Sequence, residues 1–336
     1  MADLDPVDSK VHALDEFRVS MRDAELATGL SRIKHSVATY KLQLPLNFEV
    51  KLQVVTGDIT DPTLGLSPEH FDELAQRSSI VFHFASMVDY SLPYSSHRAQ
   101  NVLGLLNMIH LSNTKGLKPL HYTSSISACY TSKFLPGYLI AAERVAWNAI
   151  ANGFPLIIYR RGVITGHSVT GAYPPGRMIN ILMAGCVRSG YFPLPPDAKD
   201  QLITVDFVCS AILSIALEHP TKLHWAYNLV RPDQEESTTW KQLFEILSEV
   251  SGAPLRSVSV SEWVGVWAES GTRQLLEVVS LLRSQANSLI SFWGSDGCTP
   301  AAFETRNARQ ALSHSPHLLQ VPSVTELVST YLSLWS

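Results

Sequence analysis

Two hydroxyl-bearing residues, Ser125 and Tyr138, lie between a short apolar run and a helical period. The run Leu120 to Thr123 leads towards Ser125, so this hydroxyl is predicted at a strand end, and Tyr138 opens the next predicted helix. Together they could hold one carbonyl oxygen, with the phenol donating a proton as a hydride arrives. Alternatively, Ser125 only caps a turn and Tyr138 only anchors the start of its helix.

Two further segments place small or acidic residues at strand ends. Asp58 follows Gly57 after an apolar run, at the edge where ligands bind in a doubly wound fold. It could equally be an ordinary turn residue. Ala85 and Ser86 end the run that begins at Ile80, and small side chains there would let a cofactor ring approach the backbone. Close packing of a strand against a helix explains them equally well.

The elements that must position these residues alternate along the chain. Short runs rich in apolar and aromatic residues are typical of strands covered on both faces, and helical periods of three and four residues separate them. The order predicts an α/β fold with a doubly wound parallel sheet, resembling a Rossmann fold. The predicted strands are residues 52–55, 80–84, 120–123 and 156–159, with 226–230 returning to the sheet.

The sequence pattern changes after about Gly166, where prolines interrupt short segments. We therefore predict a dinucleotide-binding domain over residues 1–165. Residues 166–336 are predicted to form a smaller, mainly helical substrate-binding region. Gly252 is predicted to end a helix of that region.

Composition narrows the classes of function. The net charge is −4 and the 26 lysines and arginines are scattered, which argues against nucleic acid as a partner. No apolar run is long enough to span a membrane and no signal peptide is evident, so a soluble, cytoplasmic protein is expected. The four cysteines lie far apart and are predicted to be buried free thiols. No metal site is expected, since the histidines lack an HExxH arrangement.

The order of several motifs resembles one family. The segments are GDITDPTLGLS, VFHFASMVDYSLPY, NVLGLLNMIHLS, LKPLHYTSSIS, YRRGVITGHSVTGAY and FETRNARQAL. Their series is similar to the thioester reductases, a branch of the extended short-chain dehydrogenases that releases products from peptide and polyketide synthases. The resemblance covers roughly Arg22 to the C-terminus. It implies NADPH as cofactor and a carrier-bound thioester as substrate, reduced to an aldehyde and in some members to the alcohol.

The resemblance also assigns roles to single positions. Ser125 and Tyr138 fall on the family's catalytic hydroxyls. The remaining matches are implied to lie against the cofactor: Arg22 at the 2′-phosphate, Asp58 with Ile59, Ala85 with Ser86, Asn101, and Val163 within a segment that borders nicotinamide and substrate.

Two departures from the family pattern bear on function. The family begins with a strand and a glycine-rich turn that holds the pyrophosphate, whereas Gly29 is the only glycine among residues 1–56. The family tyrosine is followed four residues later by a lysine. Here Ala142 holds that spacing, unless a deletion aligns Glu143 with the family's later Ala-Glu pair.

These departures leave two functions open. One is an NADPH-dependent thioester reductase of secondary metabolism. The other is a pseudo-reductase that releases or cyclises a carrier-bound chain without redox change, or acts as an interaction module. A serine hydrolase is disfavoured, because the segment from Gly166 to Gly171 departs from the G-x-S-x-G spacing.

Overall fold

The structure is a computed structural model. It describes residues 17–21, 26–40, 42–88, 92–129, 137–173, 178–193, 199–218, 226–232, 238–269 and 303–333. The described strands are β1 Phe17–Met21, β2 Leu52–Thr56, β3 Val81–His83, β4 Leu120–Ser125, β5 Leu156–Arg161, β6 Val163–Ile164, β7 Tyr191–Pro193, β8 Lys199–Asp200, β9 Leu202–Ile203, β10 Ala226–Leu229, β11 Thr238–Thr239 and β12 Arg256–Val258.

The described α-helices are α1 Leu26–Thr39, α2 Pro68–Arg77, α3 Tyr94–His97, α4 Gly104–Asn113, α5 Gly137–Ala151, α6 Met178–Ser189, α7 Val205–Glu218, α8 Trp240–Ser251, α9 Val260–Glu269, α10 Arg306–Ala311 and α11 Val324–Leu332. A π-helical segment, Arg98–Leu103, precedes α4, and a 3₁₀ turn, Ile126–Cys129, follows β4. Gly252 ends α8 in the left-handed region, with φ of 65°, which confirms the predicted helix stop.

A four-stranded parallel sheet in the order β10-β5-β4-β3 organises the molecule. The predicted strands 80–84, 120–123 and 156–159 all lie in it, and β10 returns to it as expected. Helices connect its strands, as parallel pairing requires. The α/β, Rossmann-like fold class is therefore confirmed.

The first two strands form a separate parallel pair. All five residues of β1 pair with β2, from Phe17 opposite Leu52 to Met21 opposite Thr56. The expectation that residues 52–55 share the main sheet is wrong for the described part of the chain, because the hydrogen-bond partner of β2 is β1. The segment Phe17–Met21 is a strand that the sequence analysis did not predict.

Alternation along the strands divides the core into two layers. Tyr122 and Ile158 point to the layer that contains α2, α4 and α5. Their neighbours Ile157 and Tyr159 point to the layer that contains α7 and α10. In that second layer the buried His121 imidazole and the Tyr159 hydroxyl are 2.8 Å apart.

A third apolar cluster lies within the C-terminal half, built from α6, α8, α9 and α11 with β7. The boundary after residue 165 stays a prediction. Residues beyond it supply this cluster, but they also supply β10 and α10 to the main sheet's core.

The structure also bears on the predictions about the cysteines and about membrane spans. Cys186 is a buried free thiol, as predicted, whereas Cys129 and Cys209 are exposed because they lie at the outer ends or faces of their elements. Cys298 lies outside the described residues. Among the described helices, none is long and apolar enough to cross a bilayer.

Candidate functional site

The carboxyl ends of β3, β4 and β5 meet at one edge of the main sheet. The registers pair Val81 with Leu120 and Leu120 with Leu156 in parallel. The sequence segments that begin at Ala85, Ser125 and Gly162 therefore leave the sheet side by side. This is the edge at which open parallel sheets bind ligands.

Ser125 is the last residue of β4 and is half-buried at this edge. Its oxygen accepts a hydrogen bond from the Ser127 amide at 3.2 Å, which helps to start the 3₁₀ turn. Accepting this bond leaves the hydroxyl proton available for a ligand oxygen. Ser125 therefore caps a turn, and its hydroxyl can still donate a hydrogen bond to a ligand.

Tyr138 is the second residue of α5, so it opens the helix as predicted. Its side chain lies outside the described residues. Helix α5 packs against the 3₁₀ turn that follows Ser125 and against β4 and β5. The convergence of the Ser125 and Tyr138 hydroxyls on one carbonyl oxygen stays a prediction.

A buried charged cluster, which the sequence reasoning missed, ties these elements together. The Glu143 carboxylate of α5 receives three hydrogen bonds from the Arg160 guanidinium of β5, the shortest 2.6 Å. It also accepts the Ser124 hydroxyl of β4 at 2.6 Å. Burial opposes the guanidinium charge, but the hydrogen bond and charge of Glu143 outweigh it and raise the pKa of Arg160. An acidic residue among the apolar residues of α5 was the available signal.

Ala142 lies four residues after Tyr138, the spacing at which the family has a lysine. Its side chain is 1% exposed and packs in the cluster with Leu105 and Met108 of α4. A lysine at this position would enter the apolar layer rather than reach the strand ends. The neighbouring Glu143 is instead the buried charged residue on this turn of α5.

Asp58 lies in a turn closed by its own hydrogen bonds. The carboxylate accepts the Thr60 amide at 3.0 Å and the Thr60 hydroxyl at 2.8 Å, while the Asp58 amide donates to the Leu64 carbonyl at 2.8 Å. This is an Asx-turn. Next to it, the Ile59 carbonyl accepts the Asn107 side-chain amide at 2.8 Å. Cofactor contacts of Asp58 and Ile59 stay predictions.

Ala85 and Ser86 are exposed after β3, so their small side chains leave the backbone open to a ligand. Asn101 holds this loop in place. Its side-chain oxygen accepts the Met87 amide at 2.7 Å and its nitrogen donates to the Met87 carbonyl at 2.8 Å. Asn101 is buried within the π-helical segment, a distortion common at functional sites.

Val163 lies in β6, which pairs with β9 opposite Leu202. Gly162, just before it, is required by close packing, since a Cβ would lie 2.3 Å from the Gln201 carbonyl oxygen. The loop that follows is fixed from α11, where the Tyr331 hydroxyl lies 2.7 Å from that of Thr165. Val163 is thereby held near the strand ends. The remaining predicted cofactor residue, Arg22, lies outside the described residues.

The segment from Gly166 to Gly171 does not form a hydrolase site. The Ser168 hydroxyl donates to the Asp206 carboxylate at 2.6 Å, and the His167 Nδ1 accepts the amides of Val169 and Thr170. The Ser168 hydroxyl therefore binds a carboxylate that orders this loop, and it is not paired with a histidine base. Across the described ranges, no group of acidic, histidine and cysteine side chains is arranged to hold a metal ion.

The strand ends fit the nicotinamide part of a dinucleotide better than its pyrophosphate. Ala85 and Ser86 offer small side chains beside the Ser125 hydroxyl donor. A pyrophosphate requires several backbone amides at a turn. Gly29 cannot provide such a turn, because it is buried inside α1.

Relatives share this architecture. An aldehyde reductase, lnaA, from Aspergillus flavus is 32% identical over 93% of this chain and 32% of its own length. The non-canonical nonribosomal peptide synthetase FrzA from a Cladobotryum species is 31% identical over 94% of the chain and 33% of its own length. The chain thus spans about a third of these curated relatives.

Solved structures of reductase domains have the same fold as this chain. The terminal R domain from the myxalamid PKS-NRPS biosynthetic pathway superposes with a TM-score of 0.79 at 27% identity, over 94% of this chain and 82% of that domain. The PhqB reductase domain from Penicillium fellutanum has the same fold, with a TM-score of 0.72 at 18% identity, over 98% of this chain and 90% of that one. Residues 10–136 and 140–212 match the NAD-binding family described as male sterility protein, and the chain belongs to this family.

Proposed function

We propose that this chain is a thioester reductase of secondary metabolism, which uses NADPH to reduce a carrier-bound thioester to an aldehyde or alcohol. The observation that carries the proposal is the half-buried Ser125 hydroxyl at the ligand edge of the sheet, next to the helix that Tyr138 opens. The relatives' names, an aldehyde reductase and peptide synthetases, support the same class of reaction.

The residues would act on the thioester carbonyl. The Ser125 and Tyr138 hydroxyls would both donate hydrogen bonds to its oxygen, which gains negative charge as the carbonyl carbon is reduced. Reduced nicotinamide supplies the hydride. Tyr138 would transfer its proton to the oxygen, and collapse of the resulting thiohemiacetal would release the carrier thiol and the aldehyde.

Two observations favour a second candidate, a non-redox protein that binds and releases a carrier-bound chain. Ala142 is packed in the core where the family's lysine would be expected, and Gly29 is helical instead of part of a phosphate turn. The first leaves the phenol without a nearby lysine at that spacing. The second means that Gly29 provides no turn for a pyrophosphate.

The two candidates differ in their need for NADPH. The test incubates purified protein with NADPH and an acyl thioester on a carrier protein, and follows NADPH oxidation and aldehyde formation. Tyr138→Phe should lower turnover about 100- to 10,000-fold, the usual contribution of a positioned acid. Ser329→Ala, on the exposed face of α11, serves as the control. Chain release without NADPH oxidation would select the second candidate.

A further inference from the structure

The cluster of Ser124, Glu143 and Arg160 joins three elements at the point where each approaches the candidate site. Ser124 directly precedes Ser125 in β4. Glu143 lies within two helical turns of Tyr138 in α5. Arg160 stands at the end of β5, shortly before Val163. The cluster thus joins the strand that ends at Ser125, the helix that Tyr138 opens and the strand that leads to Val163.

The hydrogen bonds of this cluster are directional. Arg160 engages both carboxylate oxygens of Glu143, with Nε 3.0 Å from each and a terminal nitrogen 2.6 Å from Oε2. Such bidentate pairs fix relative orientation as well as distance. The Ser124 hydroxyl adds a third attachment point on Oε1. Four hydrogen bonds from two strands therefore hold α5 at Glu143, and the helix cannot slide along the strands without breaking them.

The cluster is also shielded from water. Relative exposure of the side chains is 7% for Glu143 and 18% for Arg160. The Trp147 ring, one turn further along α5, lies 5.7 Å from the Arg160 guanidinium and covers it. In such surroundings the ion pair is weakly screened, so its geometry persists at ordinary salt concentrations.

Cys129 is the other reactive group nearby, and it does not compete for a chemical role. Burial raises the pKa of its thiol, although Arg160 acts in the opposite direction. A raised pKa disfavours the thiolate, which is the nucleophilic form of cysteine. The charged cluster is left with a geometric role.

We propose that Glu143 is a positioning residue, which sets the distance between the start of α5 and the carboxyl end of β4 and so aligns Tyr138 with Ser125. This inference rests on the proposed reductase function. A positioning defect lowers the rate of the chemical step while ligands still bind, because small misplacements of reacting groups are costly. The expected signature is a fall in kcat with little change in KM.

The test compares Glu143→Gln with the wild type in the carrier-thioester assay. Glutamine keeps the size of the side chain and a hydrogen bond to Ser124, but it loses the ion pair. We expect kcat to fall 10-fold or more and KM for NADPH to stay within about twofold. Glu245→Gln, which removes an exposed partner of Lys241 on α8, should change neither.

A second measurement separates this inference from the proposed function. Hydrogen exchange of the amides in residues 120–129 and 137–147 should accelerate in Glu143→Gln, while α8 and α11 keep wild-type protection. If the wild type shows no reductase activity, the function fails and this local change alone decides the inference. An unchanged kcat per folded molecule, or exchange that is either unaltered or accelerated throughout, would overturn it.

Discussion

The ends of β4 and β3 lie along one sheet edge but differ in how they are packed. At β4, a buried ion pair and a hydroxyl tie the strand to its neighbours through Glu143. At β3, the chain turns outward with Phe84 58% and Val88 53% exposed, and the Asn101 side chain binds the Met87 backbone. The strand end proposed to hold the substrate carbonyl is tied by a buried charged cluster, while the end proposed to receive the cofactor presents exposed apolar side chains.

This contrast fits the proposed roles of the two strand ends, proton donation at β4 and cofactor binding at β3. Groups that must be aligned for proton donation gain from a dry, directional network. A surface that receives a large ligand must stay accessible, and exposed apolar side chains at its rim are consistent with partial cover by a bound molecule. The following predictions test whether the two strand ends really differ in this way.

The largest effect is expected for Arg160→Ala at the β4 end. Removal of the guanidinium leaves the Glu143 carboxylate buried without its countercharge, which typically costs about 3–5 kcal/mol of folding free energy. Urea unfolding measures the loss. Arg306→Ala, which breaks an exposed pair with Glu304, should change stability by less than about 1 kcal/mol. Equal losses in the two variants would remove the distinction between a buried and a surface pair.

A pH effect is expected from β3 itself. Burial lowers the pKa of His83 to about 4, and its Nε2 is buried without a hydrogen-bond partner. The unfolded chain therefore binds a proton more readily than the folded one, so stability present above the unfolded pKa is lost as pH falls from about 6.5 towards 4. The contribution of this group between pH 7 and pH 5 is on the order of 1–2 kcal/mol.

Unfolding of His83→Phe across this pH range checks the origin of the effect. Phenylalanine cannot titrate and can keep the stacking on Tyr122, whose ring centroid lies 5.5 Å away. Its stability should depend less on pH than that of the wild type. An unchanged slope in His83→Phe would assign the effect to another group, with the buried His121 the next to test.

A more local effect is expected for Asn101→Ala. The variant loses two hydrogen bonds to the Met87 backbone, worth about 1–3 kcal/mol together, and should release the loop after β3. Faster amide exchange at residues 84–88 would report the release. Asn107→Ala loses one bond, to the Ile59 carbonyl, and should cost about half as much. Unaltered exchange at Met87 would mean that other contacts hold the loop.

Much of this architecture could be predicted from the sequence, because the central strands of the main sheet are short apolar runs buried on both faces. The placement of Ser125 at a strand end and Tyr138 at a helix start followed from the same pattern. The pairing of β2 with β1 did not, since strand partners depend on contacts distant in sequence. The Glu143 cluster was missed for a similar reason: its three members come from three elements, and no local spacing links them.

The smallest change in stability is expected for Phe84→Ser, at the exposed end of β3. The side chain is more than half exposed and its ring contact is with Phe82, so the free energy of unfolding should shift by no more than about 1 kcal/mol. Binding of NADPH should weaken if this surface is the rim of the cofactor site, and titration calorimetry measures both the affinity and its heat. Leu46→Ser, at a side chain 93% exposed between α1 and β2, is the control and should leave NADPH affinity unchanged. A loss of stability above about 1 kcal/mol in Phe84→Ser would show that the protein itself covers this surface, because only a buried side chain carries that much free energy. In that case the end of β3 would be as closely packed as the end of β4.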